Sequence, residues 1–257
     1  MPVKKNPEEV EALRKAGALL ARCLDMLVLE TKPGKTGLQI DALAEDFIRG
    51  HKAVPAFKGY TTHASVKPFP GSICFSRNEV VVHGVPTDKE VVQEGDLITI
   101  DCGLSLDGWF ADAARLFGAG ALITTDQEMV DASVEALEAG INACVVGNTL
   151  GDVSYAIQKS IVNSPFFNVY QFCGHAIGRA MHEEPQVPNF GKKGSGIPLE
   201  PGMVFCLEPM LLRYRDTKIG IRPDGWTIVT KDQSRSTHIE HMVLVTEGLP
   251  EVLSKEI

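Results

Sequence analysis

The chain lacks a Cys-x-x-Cys pair, a long apolar run, an N-terminal signal core and a surplus of basic residues. Its six cysteines (Cys23, Cys74, Cys102, Cys144, Cys173 and Cys206) are scattered, which is poor spacing for structural zinc and suits free thiols in a reducing compartment. No apolar stretch approaches the roughly 20 residues that span a bilayer. The opening MPVKKNPEEVEALRK is charged almost from its start, unlike a secretory signal. These shortages lead us to expect a cytoplasmic protein with no membrane role. A net charge of −8 excludes a general nucleic-acid binder, because phosphate contacts need clustered Lys and Arg. Lys192-Lys193 and the stretch from Arg213 to Arg222 read as solvated surface, leaving at most a weak ribosome contact. What remains is ordinary globular composition, 44% hydrophobic and 23% charged over 257 residues, enough to bury a sizeable core.

Helix signals come in two matching sets. Asn6 is a cap, Pro7 suits a first turn, and Glu8 and Glu9 meet the positive end of the helix dipole. An apolar stripe then runs through Leu13, Ala16, Leu20 and Leu24 to about Glu30. Thr36 with Gln39 forms a capping box for a second helix through Leu43, Phe47 and Ile48. Further on, Thr125 with Glu128 opens a helix through Val134, Leu137, Ile141 and Val145, which Gly147 stops, and Thr149 opens another through Val153, Ile157 and Ile161. GKTGLQIDALAEDFI and GNTLGDVSYAIQKSI align without a gap from Gly34 and Gly147. Each set is followed by strand-like sequence: ICFS, VVVHG and LITIDCG, then MVFCLE, WTIVT and IEHMVLV. Strands grouped apart from helices favour α+β over a βαβ winding. We expect an internal duplication, with halves of about 1–120 and 121–257 in one domain and a cleft where they meet.

The most informative stretch is LITIDCGLSLDGWFADAARLF. Asp107-Gly108 between two apolar runs signals a two-residue hairpin turn. That loop pairs Leu106 with Trp109 and, by extension, Gly103 with Asp112. Asp101 lies two residues before Gly103 and shares its face, so Asp101 and Asp112 are diagonal neighbours about 7–8 Å apart. Two carboxylates among Ile98, Ile100, Leu104, Leu106 and Trp109 would each cost several kcal/mol to bury without compensation. A bound cation resolves that cost. In the second half, His175 lies among the glycines of CGHAIGRAMHEEP, Glu208 ends MVFCLE and Glu240 interrupts HIEHMVLV. A lone buried His is more often structural than a ligand, and a lone Glu at a strand end is usually solvated. As a set, the four carboxylates carry about four negative charges, which two divalent ions would neutralise, and hard oxygen ligands with one imidazole leave manganese, iron(II), cobalt and zinc all open with no cysteine required.

Together with NEVVVHGVP, CGHAIGRAMHEEPQVPNF, GMVFCLEPM, DGWTIVTKDQS and STHIEHMVLVTEGLP, the hairpin resembles the type I methionine aminopeptidases over nearly the whole chain. The resemblance implies the duplicated pita-bread fold and two-metal removal of the initiator methionine from new proteins whose second residue is small. It implies that Asp101 is a terminal ligand, Asp112 and Glu240 bridge, and His175 and Glu208 complete the second metal's shell. It assigns catalytic or substrate-binding roles to His83, His182 and Glu208, and a methionine pocket to Tyr60, Phe69, Cys74, Met181 and Trp226. The implied partners are N-terminal peptides of nascent proteins, and the expected state is a monomer. Three positions depart from the family's common pattern. The YTTHASVKPFPGS segment is longer, Met181 replaces an aromatic and gives a softer wall, and Gly103 replaces a threonine, removing a hydroxyl opposite Asp112. A Xaa-Pro peptidase of the same fold and a non-catalytic peptide-binding module are the competing readings; the first usually carries a separate N-terminal domain, the second typically loses metal ligands.

Overall fold

Local hydrogen bonding sets the helix starts. A computed structural model describes residues 4–62 and 67–255. Helix α1 spans Pro7–Glu30 behind an Asn6/Glu9 capping box, and α2 spans Gly37–Gly50 behind the Thr36/Gln39 box. Helix α4, Leu150–Val162, follows Thr149, whose backbone N–H and hydroxyl both donate to Asp152 at 2.8 Å. The two aligned segments therefore fold alike: Gly34 and Gly147 both take positive φ, 93° and 96°, and Thr36 and Thr149 each form an isolated bridge, to Val91 and Pro198.

Helix α3 departs from expectation at both ends. It spans Thr124–Ala143, with Ile123 ahead of it and no side-chain cap. The hydroxyl expected to cap it, on Thr125, accepts a hydrogen bond from Arg213 instead. At the other end Asn148 donates its side-chain amide to the Ala143 carbonyl at 3.0 Å, ending the helix before Gly147. Arg213 and Arg222 also correct the reading of their stretch as solvated surface. Arg213 pairs with the buried Asp126, and Arg222 pairs with both Glu79 and Glu90.

The strands form antiparallel sheets. In the first half, Asp96–Leu106 pairs with Ile73–Arg77, Val54–Pro55 and Trp109–Ala119. In the second, Val204–Leu207 lies between His241–Leu244 and Cys173–Ala176, with Glu183–Pro188 and Glu251–Val252 at the edges. One core packs α1 and α2 on the hairpin through residues such as Leu13, Leu20, Ile40 and Ile100; another packs α3 and α4 on the second sheet through Ala136, Ile157 and Phe205. Each fully buried Leu or Ile contributes roughly 1.5–3 kcal/mol. The halves are joined by hydrogen bonds. Val80–Val82 pairs with Ile228–Thr230, and Ala114 exchanges two backbone bonds of 3.2 Å with Glu240. This is the duplicated α+β pita-bread architecture. No described helix is long and apolar enough to cross a membrane.

Candidate functional site

The hairpin closes as its turn residues dictate. Asp107 and Gly108 adopt φ of 52° and 77°, which an Asp-Gly pair tolerates. Leu106 pairs with Trp109 and Gly103 with Asp112, while Asp101 faces Ala114 on one side and Cys74 on the other. Because Ala114 bridges Glu240, the second half's carboxylate arrives beside the hairpin's two. Carboxylate oxygens of Asp101, Asp112 and Glu240 all lie within 4.8 Å of one another. His175 and Glu208 arrive on the other sheet: His175 pairs with Cys206, and Glu208 follows Leu207 at the end of that strand.

Electrostatics make this cluster costly. Asp101, Asp112 and Glu240 are buried, and each keeps one oxygen without a hydrogen-bond partner. Burial pushes the Asp101 carboxyl up to about 7. Burial and the neighbouring acids raise Asp112, Glu208 and Glu240 well above the carboxylate range. Burial lowers His175 to about 3, so its ring is neutral. Its Nδ1 lies 3.0 Å from the Ala176 carbonyl, which can only accept, so the proton sits on Nδ1 and Nε2 is left bare as a ligand. That Nε2 lies 3.8 Å from both Asp112 Oδ2 and Glu208 Oε1. Such spacing is too long for hydrogen bonds, yet it suits donors each about 2.0–2.2 Å from a shared cation. Orphaned oxygens, raised carboxyls and a bare imidazole together fit divalent metal. Cys206, not expected here, also brings its sulfur within 4.8 Å of His175 and Glu240 ligand atoms.

A cavity of about 470 Å³ opens onto the cluster and is lined by every residue singled out in the sequence for catalysis, metal or substrate, a size usual for small-ligand sites. Phe69, Cys74, Met181 and Trp226 are buried in one apolar group, with Tyr60 packed against it. Phe57 belongs to the same group and escaped notice in the sequence. It explains the Gly103 departure: a Cβ on Gly103 would stand 2.8 Å from the Phe57 ring. The longer segment noted in the sequence is only partly placed, since 63–66 lie outside the described residues. His83 is held at φ 56°, a backbone state uncommon outside glycine. Its ring stands edge-on to Phe172 and Trp226, at 5.5 and 6.4 Å between centroids. His182 sits at the mouth with Nδ1 2.8 Å from the Tyr60 hydroxyl oxygen and its ring 4.3 Å from that of His175.

The 178–183 segment that carries Met181 and His182 is pinned from two sides. Arg179 stacks 3.8 Å over the Trp109 ring. Glu183 accepts from the backbone N–H groups of Arg179 and Ala180, and its other oxygen accepts from Lys5 at 2.8 Å. Lys5 is itself buried. Breaking a buried pair from one side typically costs about 3 kcal/mol, so Lys5→Met is expected to lower the melting temperature by several degrees and to slow turnover as His182 loses its anchor. Thermal unfolding and steady-state rates check this; a variant as stable as the wild type would show that Glu183 does not depend on Lys5.

Comparison with known proteins agrees with this geometry. Residues 11–247 match the family model described as metallopeptidase family M24. The chain is 39% identical over 254 residues to a methionine aminopeptidase of Clostridium acetobutylicum, covering 99% of each chain. It superposes on the crystal structure of methionine aminopeptidase from Thermotoga maritima with a TM-score of 0.93, at 37% identity and with 100% of both chains covered. The prolidase of Pyrococcus horikoshii shares the fold at a TM-score of 0.74 and 20% identity, with 100% of this chain covering 65% of that one.

Proposed function

Because the chain belongs to metallopeptidase family M24, we propose that it is a methionine aminopeptidase, removing the initiator methionine from new proteins whose second residue is small. The observation that carries this reading is the convergence of Asp101, Asp112, His175, Glu208 and Glu240 at the floor of a cavity whose side is an apolar group. The five would hold two divalent ions, of manganese, iron(II), cobalt or zinc. When bound, these ions supply charge stabilisation and lower the pKa of a water towards about 7.

The chain's own groups do the rest. The acidic floor attracts a free α-amine, which confines cleavage to the N-terminus. Tyr60, Phe69, Cys74, Met181 and Trp226 take the methionine side chain, with Phe57 as a further wall. The unbranched Met181 lets that wall adapt. Glu208, beside Asp112 and His175 in the cavity, takes the proton given up by the attacking water and passes it to the leaving amine. His182 donates to the developing oxyanion, oriented by Tyr60, a contact whose loss typically costs about 10²–10³ in rate. His83, fixed between Phe172 and Trp226, positions the peptide.

The filled ligand set favours an enzyme over a binding module. A peptide panel separates the remaining readings. With manganese or cobalt added, methionine should be released from Met-Ala-Ser, much more slowly from a peptide with a bulky second residue, and not at all in excess chelator. Cleavage confined to Xaa-Pro peptides would overturn the proposal. In this reading the chain works as a monomer in the cytoplasm, where its six free cysteines stay reduced. Its net charge of −8 keeps any ribosome contact weak.

A further inference from the structure

His238 stands in the cavity wall without a task. It lies on Ser236–His238, the strand paired with Met210–Leu212. Its carbonyl accepts from the Thr99 hydroxyl at 2.8 Å, which fixes the backbone. The imidazole is 2% exposed, and neither ring nitrogen has a hydrogen-bond partner among the described residues. A buried polar group left in that state costs about 1–3 kcal/mol and calls for an explanation. Nε2 points at Glu208 Oε2 from 3.6 Å, slightly beyond hydrogen-bond length. The opposite oxygen, Oε1, faces His175 from 3.8 Å. Glu208 is thus flanked by two imidazoles, one on each carboxylate oxygen. The first belongs to the candidate ligand set. The second does not.

We propose that His238 is a positioning residue, which hydrogen-bonds Oε2 of Glu208 and so keeps Oε1 turned toward the metal cluster and the carboxyl oriented for proton transfer. A carboxylate at a strand end can rotate about its last side-chain bonds, and a partner on one oxygen removes that freedom. The contact closes when Nε2 and Oε2 approach by about 0.4 Å or a little more. Outer partners of this kind typically change affinity or activity by about 10–100-fold. The role rests on the aminopeptidase reading above.

The test uses full-length, metal-loaded protein with His238→Gln and His238→Leu. Glutamine retains an amide donor at a similar reach, whereas leucine keeps bulk without a polar atom. On Met-Ala-Ser, His238→Leu should lose about 10–100-fold in kcat with KM and bound metal nearly unchanged, and His238→Gln should recover most of the loss. Wild-type kcat in the leucine variant would overturn the role. So would an equal loss in both variants, or a loss matched by lost metal. A second readout needs no turnover: in metal-free protein, thermal unfolding of Glu208→Gln, His238→Leu and the double variant should be non-additive. Strict additivity would show that the two side chains do not interact. A wild-type protein that releases no methionine but shows the coupling would sink the aminopeptidase reading while leaving the contact standing.

Discussion

Asp112→Asn is expected to abolish turnover while making the metal-free protein more stable. Asp112 contributes oxygens toward Asp101, Glu240 and His175 at once, so its loss disrupts the whole cluster. Loss of an outer partner of a metal ligand costs about 10–100-fold; loss of a carboxylate at the centre should cost well beyond that, because the charge that holds the ions goes with it. Stability should move the other way. Asp112 is buried with one oxygen unpartnered, beside two more buried acids. Asparagine keeps the shape, cannot ionise in this buried site and offers an amide to Asp101 or Glu240. Relieving such a site typically gains about 0.5–2 kcal/mol. Metal content, kcat and the melting temperature after chelation read the three effects. An inactive variant that is also less stable without metal would argue that Asp112 serves the fold.

Removing the metal should reverse the usual benefit of neutral pH. The Asp101 carboxyl titrates at about 7 in the fold against 3.8 ordinarily. A raised carboxyl binds its proton more tightly in the folded state. Its contribution is therefore complete below about pH 4 and is lost as pH rises through about 7. For Asp101 the difference is on the order of 4 kcal/mol, and Asp112, Glu208 and Glu240 shift in the same direction. Divalent ions need these groups deprotonated, so they bind more tightly as pH rises and restore what is lost. Carboxylates elsewhere, including Asp96 and Glu251, are lowered by their Arg partners and favour higher pH in both forms. Comparing the two forms removes their effect. The gap in melting temperature between manganese-loaded and chelated protein should widen from pH 5.5 to pH 8; a constant gap would show that the cluster is not protonated without metal.

Some of this architecture could be read directly because its causes are local. Asp107-Gly108 sets the hairpin register, and period-two alternation then places Asp101 and Asp112 on one face. The boxes at Asn6 and Thr36 close within three residues, so their helices begin where the sequence says. Thr125 looked like the same signal and failed, because Arg213, 88 positions away, takes its hydroxyl. His238 could have been found by a local rule: two residues before Glu240, it shares that residue's face wherever the chain is extended. Phe57 could not, since only the folded hairpin shows that the missing side chain of Gly103 makes room for its ring.

The acidic hairpin on its own made a cation site the expectation, since two carboxylates on one apolar face need a counter-charge whatever surrounds them. Its partners were a different matter. His175 and Glu208 reach it through the pairing of Cys173–Ala176 with Val204–Leu207, and Glu240 through its bridge to Ala114. Glu240 stands more than a hundred positions from Ala114 in the chain, and the pairing of His175 with Cys206 belongs to a sheet in the other half. The sequence determined each half's elements and the face its acids occupy, because hydrogen-bonded turns and side-chain alternation act over a few residues. The tertiary structure alone decided which acids meet, because that depends on how two halves pair their backbones.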